Sequence, residues 1–192
     1  SQYSTFIRST LESANADSYK QPNSQPTSLK GQLKDYQLRG LRWMTALYEN
    51  GLSGILADET GLGKTTQVIA LMAYLREKNV KGPFIITAPT TALPKWMCDF
   101  KKWLPDMATL LYHGSKSERR DLRQRHFQAD STGCYPVLIT SHEIYVSDLQ
   151  KYKWQYLVVD EGQRAKNRNC RLLRRLMELE TVTRLVLSRT PI

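Results

Sequence analysis

Leu56-Ala57-Asp58-Glu59-Thr60-Gly61-Leu62-Gly63-Lys64-Thr65-Thr66-Gln67 is the stretch on which the fold of this chain turns. A short apolar run of strand length, Gly54 to Ala57, leads into it. A helical stretch, Thr65 to Lys78, leads out of it, with Val68, Leu71, Met72 and Leu75 on one face. Glycines between a strand and a helix let the backbone curl, so that successive N–H groups point at one anion. The positive end of the following helix favours the same anion. In this context Lys64 reaches the β and γ phosphates of a nucleotide and the Thr65 hydroxyl ligates magnesium, with Asp58, Glu59, Thr60, Gly61, Leu62 and Gly63 completing the cradle. The strict pattern G-x-x-x-x-G-K-[ST] is not met, because Asp58 holds the first glycine position. The flanking strand and helix carry the reading instead.

Outward from the cradle, strands and helices alternate. Leu38, Leu41, Met44, Leu47 and Tyr48 fall at helical spacing, and Asn50-Gly51 offers a stop. Further strands are expected at Pro83–Thr87, Leu110–Tyr112, Pro136–Thr140, Tyr156–Asp160 and Arg184–Leu187. Helices are expected at Leu93–Trp103 and Arg171–Glu180, and after Ser115-Lys116-Ser117-Glu118, which has the form of a capping box. Strands that are apolar along their whole length, alternating with helices, imply an α/β fold with a parallel sheet covered on both faces. Ligands of such sheets bind beyond the C-terminal strand ends. Residues 1–30 are rich in Ser, Asn, Gln, Thr and Pro and read as a flexible arm or linker, with the folded lobe over 31–192.

At one of those strand ends stand Asp160 and Glu161. In a phosphoryl-transfer site an aspartate there holds magnesium, and the next acid orients or deprotonates the attacking water. Together with Lys64 they form the candidate catalytic set, and Thr65 and Asp160 the candidate metal ligands.

Composition narrows the class. The net charge of +10 favours an anionic partner such as nucleic acid. Arg164, Lys166, Arg168, Arg171, Arg174 and Arg175 are read as phosphate contacts, whereas Lys116, Arg119, Arg120, Arg123 and Arg125 are read as a solvated helix face. Glu143 and Asp148 read as surface acids. Trp43 and Trp96 lie on apolar helical faces and read as core. Cys98, Cys134 and Cys170 are far apart, which argues against a disulfide framework or zinc site, and His113, His126 and His142 share no ligand spacing. No apolar run approaches the ~20 residues of a membrane helix, and the N-terminus lacks a secretory pattern.

Several segments, in order, resemble one family. Leu33 to Trp43, containing Gln37, resembles the adenine-recognition segment of the Swi/Snf-type chromatin-remodelling ATPases of helicase superfamily two. Leu56 to Gln67 is similar to their motif I, Ile86-Thr87-Ala88-Pro89 with Leu93 to Trp103 to motif Ia, and Leu138 to Ser141 to motif Ib. Val159 to Asn167 is similar to motif II, and Leu187 to Ile192 sits where motif III belongs. Within the family the sequence is most similar to the lymphoid-specific helicase branch. The resemblance implies a RecA-like first lobe of a nuclear, DNA-dependent ATPase that acts on double-stranded DNA and nucleosomes with ATP and Mg2+. It implies that Gln37 reads adenine and that the Ala88-Pro89 and Thr140-Ser141 segments touch the DNA backbone. It also implies that a second lobe supplies an arginine finger, worth ~10³–10⁵ in rate in related systems, so the lobe alone is expected to bind ATP weakly and hydrolyse it poorly.

The sequence departs from that pattern at Thr60 and Thr66, which replace apolar residues, and at Lys95, which replaces asparagine. Gln163 stands where a histidine normally follows the acid pair, and Arg189 where motif III has glycine. A long cation at Arg189 is expected to clash or to pair with Asp160 or Glu161. Arg189, Gln163 and the expected lack of a second lobe in these 192 residues favour one alternative, a degenerate, catalytically inactive DNA- or chromatin-binding module. A kinase-like or transport NTPase is disfavoured by the Gln37 segment.

Overall fold

The computed structural model describes residues 24–57, 61, 63–144, 148–162, 176 and 178–189. Most of the expected arm, Asp58, Glu59, Thr60 and Leu62 of the cradle, and the basic stretch from Arg164 to Arg175 lie outside the described residues.

Helix α1 spans Asp35–Glu49 and buries Leu41, Met44 and Leu47, as their spacing requires. It ends in a Schellman turn: Gly51, at φ 66°, donates to the Tyr48 carbonyl, and Leu52 N–H donates to the Leu47 carbonyl. Strand β1 (Gly54–Ala57) leads to the cradle, and helix α2 (Lys64–Glu77) leaves it. Thr66 through Leu75 of α2 are buried all round rather than on one face. The helix is central: the sheet lies on one side, and α1 packs against another. A lone apolar stripe therefore underestimates its burial.

Strand β2 (Phe84–Ala88) is followed by a 3₁₀ turn at Thr90–Ala92 and helix α3 (Leu93–Trp103). Then come β3 (Thr109–Tyr112), α4 (Lys116–Arg125), β4 (Val137–Ser141), β5 (Trp154–Val159) and β6 (Thr181–Ser188). The capping box forms as read, Ser115 N–H donating to Glu118 Oε2 at 2.7 Å and Glu118 N–H to Ser115 Oγ at 3.3 Å. Of the expected helix at Arg171–Glu180, most lies outside the described residues, but Leu176 and Leu179 are buried.

The six strands make one sheet in the order β1-β6-β5-β2-β4-β3, every pair parallel. Two apolar cores cover it. One packs α1, α2 and α3 against Phe84, Ile86, Val137, Tyr156 and Val158, and the other packs Phe127, Leu149, Leu176 and Leu179 against Ile85, Leu138 and Leu157. The exceptions to full burial are the two edge strands, β1 leaving Ile55 44% exposed and β3 leaving Leu111 40% exposed, and the start of β6, where Val182 is 47% exposed. α2 follows β1 onto one face, while Leu176 and Leu179, reached after β5, pack on the other. Connections diverging in this way on either side of β6 open a crevice at the C-terminal strand ends.

The end of the expected arm is docked. Leu29 is buried, Lys30 N–H donates to the Trp103 carbonyl, and the Thr27 and Ser28 hydroxyls donate to Glu77. Two expectations on charge are corrected. Asp148 is not a surface acid, and Arg119 and Arg123 are not solvated. Asp148 Oδ2 accepts from Arg119 Nε at 3.3 Å, from the Tyr112 hydroxyl at 3.2 Å and from Arg123 at 2.9 Å, with all three charged side chains under a fifth exposed. Lys116, Arg120 and Arg125 do face solvent. The mistake lies in the sequence distance: Asp148 sits 25 residues beyond Arg123 and meets it only once β4 lies beside β3.

Burial pushes the Asp148 carboxyl up, but the Arg123 charge and the hydrogen bonds outweigh it and hold the group below its ordinary 3.8. Its contribution to stability is therefore present above that value and lost as pH falls through the folded-state pKa. Asp148→Asn leaves two guanidinium groups without their anion and is expected to cost about 2 kcal/mol at neutral pH. Urea unfolding should show that cost shrinking below pH 4. An equal cost at pH 7 and pH 3 would remove the ionic explanation.

Candidate nucleotide site

The rim of the sheet gathers the sequence-predicted residues through strand register. Ala57 at the end of β1 pairs with Ser188 at the end of β6, and Val159 at the end of β5 pairs with Val186. The cradle and the acid pair are therefore one intervening strand apart, roughly 10 Å at ordinary strand spacing, with Arg189 leaving between them.

Gly63 caps α2 at φ 76°, ψ 39°, the left-handed region. A Cβ there would also lie 2.4 Å from Gln37 Nε2, so a side chain at this position would have to displace the Gln37 carboxamide as well as adopt the left-handed backbone. Gln37 is buried against the cradle, and its Oε1 accepts from Lys34 N–H at 3.0 Å. Its carboxamide thus braces the start of α1 and touches the phosphate-loop glycine. Gly61, at φ 92°, has open space around it. Lys64 and Thr65 begin α2 at this mouth and are partly exposed.

The acid pair is held more tightly than its sequence reveals. Asp160 N–H donates to the Thr87 carbonyl at 2.7 Å, and Gly162 N–H to the Leu187 carbonyl at 2.9 Å, which ties the turn to β2 and β6. Trp96 Nε1 donates to Asp160 Oδ2 at 2.9 Å, and Glu161 N–H donates to Asp160 Oδ1 at 2.8 Å. The His142 ring meets the Asp160 carbonyl at 2.8 Å. Burial raises the Asp160 carboxyl above its ordinary value, against the pull of the Trp96 and Glu161 donors. Burial likewise lowers the His142 imidazole, so the ring stays neutral at pH 7.

Glu161 adopts φ 49°, a conformation uncommon outside glycine and costing about 1–2 kcal/mol. The turn aims its side chain toward β6, where Arg189 donates to Glu161 Oε1 at 2.6 Å. Arg189 itself is not among the positive-φ residues. Its backbone therefore does not demand glycine, and of the two expected outcomes, clash or pairing, pairing is what occurs.

Trp96 is core, as expected, but it also carries a polar contact to Asp160. His142 holds the same residue's main chain, and neither link has a sequence signal, since they span 64 and 18 residues. Pro89, Thr140 and Ser141 are buried, and the Thr140 hydroxyl donates to the Tyr112 carbonyl. The exposed polar groups on this rim are instead Thr90, Thr91 and Lys95. Asp58, Glu59, Thr60, Leu62 and Gln163 lie outside the described residues. Among the described residues no three acids, histidines or cysteines cluster as a metal centre, and no helix is long and apolar enough to cross a membrane.

Matches to known proteins agree with this architecture. The SNF2-related domain matches residues 36–192. The chain is 40% identical over 171 residues to the ATP-dependent DNA helicase DDM1 of Arabidopsis thaliana, covering 87% of this chain and 22% of that protein. It is 42% identical over 187 residues to the lymphoid-specific helicase of Homo sapiens, covering 92% and 22%. It is 44% identical over 177 residues to the chromatin-remodeling ATPase INO80 of Aspergillus oryzae, covering 88% and 12%. Identities this close across three differently named relatives do not single out a branch. The chain spans about a fifth or less of the length of these relatives. Among solved structures, the Sulfolobus solfataricus SWI2/SNF2 ATPase core in complex with dsDNA superposes with a TM-score of 0.76 at 26% identity, over 90% of this chain and 35% of that one. The parallel sheet, its RecA-like arrangement and the extent of the match place this chain in the SNF2-related domain family.

Proposed function

We propose that this chain is the ATP-binding lobe of a DNA-dependent ATPase that moves on duplex DNA as part of a nuclear chromatin-remodelling enzyme. One observation carries the proposal. A left-handed glycine opens α2 at the same rim of the sheet where a half-buried Asp160, held by four hydrogen bonds, stands across one intervening strand.

The residues present suit a magnesium nucleotide. Magnesium takes hard oxygen ligands and is usually held by one or two carboxylates plus the substrate's own phosphates, so a three-acid cluster is not needed. The Thr65 hydroxyl and the Asp160 carboxylate supply such donors. Asp160 spends one lone pair of each oxygen on Trp96 and Glu161 and retains others. Bound there, the ion would neutralise charge developing on the phosphates. Lys64 and the cradle N–H groups would hold the β and γ phosphates, and Gln37, already at the cradle, would face the base. Glu161 would take the proton of the attacking water. Thr90, Thr91 and Lys95, exposed on the same rim, are the groups suited to a DNA backbone. A second lobe closing over the rim would complete the site.

The inactive-module reading rested on Arg189 and Gln163. Arg189 is accommodated without a left-handed backbone, and the relatives matched carry helicase and ATPase names, so nothing favours that alternative. The test is ATP turnover by the full-length protein with and without double-stranded DNA. Stimulation of at least about tenfold, falling steeply with salt, is expected. Turnover indifferent to DNA would reject the assignment.

A further inference from the structure

Arg189 leaves the rim between the phosphate cradle and the acid pair. It leaves β6, which lies between the cradle strand β1 and the acid strand β5. The residue before it, Ser188, is in register with Ala57, the last residue before the phosphate loop. Its guanidinium donates to Glu161 Oε1 at 2.6 Å, with the arginine side chain 49% exposed and the glutamate 16% exposed. A carboxylate oxygen engaged in this way is closed to an incoming water, because the guanidinium takes up a hydrogen-bonding site that the water would use. The arginine end is open to solvent, so the pair can be exchanged for a stronger anion. A terminal phosphate carries more charge than a carboxylate and matches the guanidinium fork with two parallel hydrogen bonds.

We propose that Arg189 is a γ-phosphate-responsive cation supplied by this lobe itself. In the resting chain it restrains Glu161. When a nucleoside triphosphate enters, the guanidinium moves to the terminal phosphate and frees the glutamate to meet the attacking water. A diphosphate leaves the γ position empty, and the pair stays closed. This deepens the nucleotide-site reading above and rests on it. Arg189 thereby discriminates triphosphate from diphosphate and links that choice to the readiness of the base.

The test uses the full-length protein with Mg2+ and two probes, ATPγS and ADP, titrated into wild type, Arg189→Gln, Arg189→Lys, Glu161→Gln and the Arg189→Gln/Glu161→Gln double variant. Arg189→Gln is expected to weaken ATPγS about tenfold, the worth of one charge-assisted contact, and to leave ADP within about twofold. Arg189→Lys should recover part of the discrimination. Glu161→Gln removes the competing anion and should tighten ATPγS when Arg189 is present, but not in the double variant. Equal effects of Arg189→Gln on both nucleotides, or a Glu161→Gln effect independent of residue 189, would overturn the proposal. If wild type binds and Lys64→Ala does not, while the ATPγS-to-ADP ratio ignores Arg189, only this inference fails. If wild type binds neither nucleotide, the site reading fails and takes the inference with it.

Discussion

Lys64→Ala is expected to weaken Mg2+–ATPγS binding by about ten- to a hundredfold, the loss of one or two charge-assisted hydrogen bonds, and to abolish ATP turnover. The reasoning begins at the backbone. Gly63 in the left-handed region turns the chain so that α2 starts at the mouth of the loop, and Lys64 is the first helical residue. The helix end supplies partial positive charge, but it cannot follow the phosphates. A flexible ammonium can, so its removal takes away the mobile part of the cradle's charge. Lys64 is partly exposed at the helix mouth, so thermal stability should stay near wild type. Isothermal titration with melting as the control separates binding from folding. Unchanged ATPγS affinity in a well-folded variant would show that the phosphates bind elsewhere.

Glu161→Gln is expected to lower kcat by about 10²–10⁴, the range for removing a general base, without weakening nucleotide binding. The substitution keeps the shape and the φ of 49° that aims the side chain at β6. It also keeps Asp160 in place, because the Glu161 N–H that donates to Asp160 Oδ1 belongs to the backbone. Charge and basicity alone are removed. A comparable fall in kcat/KM through KM, or turnover near wild type, would move the base to another group. Single-turnover kinetics in the DNA-bound full-length protein distinguishes these outcomes.

The parts of this molecule that were legible in its sequence are those governed by short-range physics. Asn50-Gly51 ends α1 because only a residue tolerant of positive φ closes a Schellman turn, and that requirement is local. Ser115 and Glu118 form their capping box for the same reason. Apolar runs from Phe84, Val137 and Trp154 became buried strands because a parallel sheet covered on both faces needs them. The position of the cradle and of the acid pair followed from the rule that such sheets bind at their C-terminal ends.

What stayed hidden depends on strand order. Nothing local places β6 between β1 and β5, and that insertion is what brings Arg189 to Glu161. Trp96 looked apolar because its helix spacing is apolar, yet its one polar atom meets Asp160 across 64 residues. Asp148 looked like a solvated acid because its cationic partners come from α4. Ile55 sits in an apolar run but ends on an edge strand, a property of the sheet rather than of the run. In each case the residue type was readable and the neighbour was not.

Amide hydrogen exchange on this chain, with and without Mg2+–ATPγS, tests the location of the site most directly. Added protection is expected over Gly61 to Thr66, at the start of α1 around Gln37, and at Asp160 to Gly162, where one rim of the sheet gathers them. On the opposite end of the molecule a cavity of ≈ 490 Å³ is lined by Arg76, Asp106, His126, Asp130 and Tyr135. Protection confined to that cavity, or none anywhere at saturating nucleotide, would contradict a nucleotide site built on the Gly63–Lys64 cradle and the Asp160–Glu161 pair.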